Sequence, residues 1–152
     1  MSNYYLKDNS YEVHILKDDD VLFTIKKSYK MWGKTYCEVF SNTELVLRVR
    51  KLEKIFGIKY EVIFSIFPDL SIRREGTKHI LFFGNRVYSV VSNYGLFKIW
   101  YDLFLNNHKV GELTINRKNW TFGGKWTLEL LDNTDDINLF LILIGIQSDS
   151  GV

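Results

Sequence analysis

The sequence predicts an all-β fold with one buried C-terminal helix: an antiparallel barrel closed around a central apolar segment. Three observations predict it. Short runs of alternating apolar and polar residues recur from one end of the 152-residue chain to the other. Turn-forming residues punctuate them at short, regular intervals. Near the C-terminus the alternation stops, and Ile137–Gln147 is apolar on nearly every face.

The runs are taken in chain order. Residues 11–15 alternate and end at Lys17-Asp18-Asp19-Asp20, the tip of a hairpin. Val21, Phe23 and Ile25 then share one face. Residues 35–40 lead to a turn at Ser41-Asn42-Thr43, after which Leu45, Leu47 and Val49 face one side and Arg48 and Arg50 the other. Tyr60, Val62, Phe64 and Ile66 continue the period until Pro68-Asp69, where proline cannot donate to a ladder and marks a turn. Residues 70–74, 79–83, 86–92, 96–105, 109–116 and 125–131 complete the series. Gly84-Asn85, Asn93-Tyr94-Gly95 and Asn106-Asn107-His108 lie between them.

This makes about eleven strands at the spacing of a barrel or sandwich. No helical period separates them, so antiparallel hairpins, not parallel crossovers, are the economical connection. Residues 1–10 read as a polar, flexible lead without the apolar run of a signal peptide, and residues 11–149 as a single domain.

Asp132-Asn133-Thr134-Asp135-Asp136 supplies capping residues and negative charge for a helix over residues 135–147. A helix apolar all round is buried in protein or in lipid. Its length decides: thirteen residues rise about 20 Å, whereas a bilayer core needs about 30 Å. Walls on every side are what a closed antiparallel barrel provides. A continuous buried strand is the competing reading, since Ile and Phe are strand formers.

At this point the chain resembles the tubby C-terminal-like superfamily, in its LURP-one-related and phospholipid-scramblase-like branch. The residues that carry the likeness are Asn106 to Arg117, with a glycine before a basic turn, then Lys125 to Asp132 as a last strand. Asp136 to Gln147 follows as an acidic residue before a core helix, and Gly84-Asn85-Arg86-Val87-Tyr88 matches more loosely. The resemblance implies about twelve strands around a central helix. It also implies phosphoinositide binding of the kind tubby domains show. No scramblase-type calcium loop is present, so that activity is not carried over.

Chemistry-bearing patterns are sparse. His14, His79 and His108 lack ligand spacing to one another or to Cys and Asp, and neither a metal nor a cofactor is expected. Cys37 stands alone, which excludes a disulfide framework; it reads as a small buried residue in a reducing, cytoplasmic compartment. No nucleophile elbow or phosphate-cradling glycine loop occurs, so the reading is non-enzymatic. Filling the barrel with the helix also leaves no internal pocket.

Charge carries more information in its distribution than in its net value of +2. In an up-and-down meander alternate loops share one end. One set contains Lys27, Lys30, Lys34, Lys51, Lys54, Lys59, Arg74, Lys78, Arg117, Lys118 and Lys125, against Glu53 and Glu75. The other holds Lys17, Asp18, Asp19, Asp20, Glu44, Asp69 and Arg86, joined by the acidic helix start. The basic loops also carry Met31-Trp32, Ile55-Phe56 and Trp120-Thr121-Phe122.

Two readings stand. In the first, Lys30, Lys34, Lys51, Lys54, Arg74, Lys78, Arg117, Lys118, Lys125, Trp32 and Trp120 meet anionic phospholipid headgroups or an acidic partner, making the protein peripheral at a membrane. In the second, the aromatics plug the barrel end, the lysines are merely solvated, and the domain is a scaffold. Single-stranded nucleic acid is a minor variant of the first. The oligomeric state is left open.

Overall fold

The computed structural model describes residues 4–9, 11–30, 34–96, 99–115, 126–130 and 137–147. Among the described residues twelve strands precede one helix: β1 (Tyr4–Asn9), β2 (Glu12–Lys17), β3 (Asp20–Lys30), β4 (Lys34–Ser41), β5 (Glu44–Lys54) and β6 (Gly57–Ser65). They continue as β7 (Ser71–Glu75), β8 (Lys78–Phe83), β9 (Arg86–Tyr94), β10 (Ile99–Leu105), β11 (His108–Ile115) and β12 (Trp126–Leu130), followed by α1 (Ile137–Gln147).

Every ladder is antiparallel, and the order is β6-β5-β4-β3-β2-β1-β12-β11-β10-β9-β8-β7. Each half is therefore a meander, and the halves join where β1 meets β12, Tyr4 opposite Leu128 and Leu6 opposite Trp126. Residues 4–9 are thus a central strand and correct the reading of a flexible lead over residues 1–10. Tyr4 and Leu6 are buried, so the segment is held by its apolar alternation even though its composition is polar.

The closed barrel is also corrected. The two outermost strands, β6 and β7, lie against one another, but no backbone ladder joins them. The corner between them explains the gap. Most two-residue turns among the described residues take a left-handed backbone that keeps strands at ladder spacing, as at Asp18-Asp19 and Asn106-Asn107. The link over residues 66–70 is longer and contains Pro68, which has no donor. Such a corner does not oblige the strands it joins to pair.

Inward positions follow period two: Val13 and Ile15, Phe23 and Ile25, Cys37 and Val39, Leu47 and Val49, Tyr88 and Val90 are all buried. They pack with α1, of which Phe140, Leu141, Ile142 and Leu143 are fully buried; Asn138 alone of the helix is exposed. Tyr88 meets Phe140 edge-on at 4.9 Å between ring centroids. The expected core helix is present over Ile137–Gln147, while the acidic cap over residues 132–136 lies outside the described residues. No helix among the described residues is long and apolar enough to cross a membrane.

Candidate functional site

Because neighbouring strands are antiparallel all the way from β6 round to β7, turns that follow odd-numbered strands lie at one end of the sheet. These are the loops expected to be basic. The added strand β1 precedes all of them and leaves their parity intact.

At this end Lys34 opens β4, Lys54 closes β5, Lys59 lies near the start of β6 and Arg74 near the end of β7; all four are exposed. Lys78 is half-buried at the start of β8. Lys30 ends β3 opposite Lys34. Trp32, Arg117, Lys118, Trp120 and Lys125 lie outside the described residues. Glu53 and Glu75 share the end, Glu75 paired to Arg73 at 3.1 Å.

Lys51 is a correction. It faces inward, 5 % exposed, with its ammonium 3.6 Å from Glu53, and is withdrawn from the outer rim. Lys27 faces inward too, at 4 %. Thr35, Lys51 and Tyr60 form one cross-strand row over β4, β5 and β6. Tyr60 shares a hydrogen bond of 3.1 Å with buried His79 of β8. Gln147, the last residue of α1, donates to Ser92 Oγ at 2.8 Å, so the helix runs toward this same end. Its terminal carbonyls bring partial negative charge to the side where the inward lysines lie. The polar layer was legible in principle: Lys27 continues Phe23 and Ile25, and Lys51 continues Leu47 and Val49, in strict period two.

The most exposed of the large apolar side chains lie at the basic end as well, while Val21, Ile63, Phe64 and Ile66 are about half exposed elsewhere. Ile55 and Phe56 form the tip between β5 and β6, 94 % and 100 % exposed, and Leu96 between β9 and β10 is 95 % exposed. Tyr11 and Tyr29, also exposed, meet edge-on at 6.3 Å. Ile55 and Phe56 stand clear of the sheet and do not cover its end.

The opposite end carries exposed Asp18, Asp19, Asp20, Glu44 and Asp69, with Arg86 as an exposed cation among them. Its two-residue turns are left-handed at Asp18, Asp19, Asn42, Gly84, Asn106 and Asn107. Among the described residues no His, Cys, Asp and Glu side chains cluster in a way that could hold a metal ion. His14 instead sits 3.3 Å from both Glu12 and Thr24, and Cys37 is buried.

No protein-family model, no curated protein and no solved structure matches the chain.

Proposed function

We propose that this domain is a non-enzymatic binding module that docks its basic end on anionic phospholipid headgroups, as a peripheral protein on the cytoplasmic face of a membrane. The carrying observation is the fully exposed pair Ile55-Phe56 between Lys54 and Lys59, on the same end as Lys34, Arg74 and Leu96. A solvated lysine rim needs no apolar tips. A headgroup-facing surface uses both, because lysines contribute about 1 kcal/mol each near an anionic leaflet. An apolar side chain moved from water into the acyl boundary contributes about 2 kcal/mol. A few of each give reversible, salt-sensitive attachment. The likeness to the tubby and LURP-one-related branch supports the same reading.

Co-sedimentation with phosphatidylcholine vesicles, with and without phosphatidylserine, tests it. Binding should require the anionic lipid, weaken as salt is raised, and fall in both Lys34→Glu/Lys54→Glu and Phe56→Ser. Binding that ignores lipid charge and salt, or no binding, removes the proposal. Capture of a soluble acidic protein without vesicle binding favours the partner reading.

A further inference from the structure

We infer that copies of this chain associate head to tail, the basic tip between β5 and β6 of one copy seated on the acidic corner between β6 and β7 of the next. Strand β5 shows why both surfaces are available. It begins at Glu44 and ends at Lys54, about 33 Å apart at the usual rise of an extended strand. That is several Debye lengths at physiological salt, so the two ends do not neutralise one another within one molecule. Lys34 and Lys54 at one end and Glu44 and Asp69 at the other are all exposed. Among the described residues none of these four is held in an ion pair.

The two ends match in more than charge. The basic tip projects Ile55 and Phe56 beside Lys54. At the acidic corner the Ile66 amide donates to the Val46 carbonyl at 3.0 Å, which sets Ile66 beside the first residues of β5, close to Glu44. Phe64 precedes Ile66 at the end of β6, and Asp69 follows in the same link. Ile66 and Phe64 are half exposed. One surface is therefore apolar and bordered by ammonium groups, the other apolar and bordered by carboxylates.

Charge also fixes the arrangement. Two basic tips repel one another, and so do two acidic corners, so a symmetric pair is disfavoured and unlike ends meet. Each copy in a pair keeps one end open, the heterologous geometry that extends into a chain of copies. Contacts confined to a loop tip and a corner are small, which places the association in the transient class. It is also weakened by salt. The inference shares the basic tip with the membrane reading but does not rest on it.

Sedimentation velocity without lipid tests it, from micromolar to millimolar protein at low and raised salt. The unaltered chain should sediment faster as concentration rises, and salt should remove the effect. A basic-tip variant, Lys54→Gln/Phe56→Ser, and an acidic-corner variant, Glu44→Gln/Asp69→Asn, should each weaken association on the order of tenfold or more. Mixed in equal amounts they should form one-to-one pairs and nothing larger, because each keeps one native end. If either variant fails to fold, zero-length carbodiimide cross-linking of the unaltered chain carries the test. A Lys54–Glu44 bond joins positions that one copy holds about 33 Å apart, so it forms only between copies. No association at any concentration, indifference to salt, full association in both variants, no pairing on mixing, or no such cross-link would each overturn the inference. The assay holds no lipid, so its failure leaves membrane docking standing, and failure of vesicle binding leaves this association standing.

Discussion

Gly145 shows how tightly single positions are set. It lies where α1 crosses β2 and β3; a methyl group added there would collide with the Ile25 side chain and come within 3.3 Å of Ile15 Cδ1. In an exposed helix, Gly→Ala gains about 1 kcal/mol. In this packed core the collision costs about 1–3 kcal/mol, so Gly145→Ala should lower the urea midpoint despite its better helix propensity. Ile25→Val, which removes the clashing methyl, should recover part of that loss in the double variant. A second residue-scale prediction concerns Glu61, whose carboxyl is held below its ordinary value of 4.5 by the hydrogen bond from Arg50 across the β5–β6 ladder. A depressed folded-state value stabilises the fold above pH 4.5, and that contribution disappears as pH falls through the lowered value. Thermal melts should therefore place Glu61→Gln below the unaltered protein at pH 7, with the gap closing in acid. Neither feature could be read in the sequence. Nothing in Arg48-Val49-Arg50 says which arginine faces Glu61, because that depends on the register shift between Arg48 and Val49 against β6.

Among the elements, α1 and most strands were legible, since an apolar face repeats every second residue and an all-round apolar run has no exposed side. The failures have physical causes. Residues 4–9 look polar because Lys7, Asp8 and Asn9 dominate their composition, yet Tyr4 and Leu6 alternate into the core. Closure was expected because a helix apolar all round needs walls on every side, but strands can cover the helix without the last ladder, and the apolar run carries no information about whether β6 and β7 pair. The helix gives the sharpest test at this scale. Leu141→Asp places an unpaired charge where no part of the side chain meets water, a cost of several kcal/mol against a total stability of about 5–15 kcal/mol. It should abolish the cooperative unfolding transition seen by circular dichroism. Asn138→Asp, on the one exposed helix position, should shift stability by no more than about 0.5 kcal/mol.

At the scale of the whole molecule, the division into a basic and an acidic end followed from counting alternate loops. The antiparallel order places Lys34, Lys54 and Arg74 together at one end. What counting could not tell was which lysines face outward: Lys51 belongs to the same stretch as Lys54 but lies inside, because the strand alternates there. The exposed apolar tips were legible as residue types, not as exposed surfaces. A basic end with protruding Ile55 and Phe56 and an acidic end of tight turns make the molecule polar along its axis, and the function argued for it requires that polarity. The most direct measurement attaches an environment-sensitive fluorophore to one end at a time, through Thr77→Cys in the exposed β7–β8 turn at the basic end or Asn42→Cys at the acidic end; native Cys37 is buried and stays unlabelled. Addition of phosphatidylserine-containing vesicles should give a blue-shifted, brighter signal at position 77 and none at position 42. A response at position 42, at both positions equally, or at neither would contradict docking through the basic end.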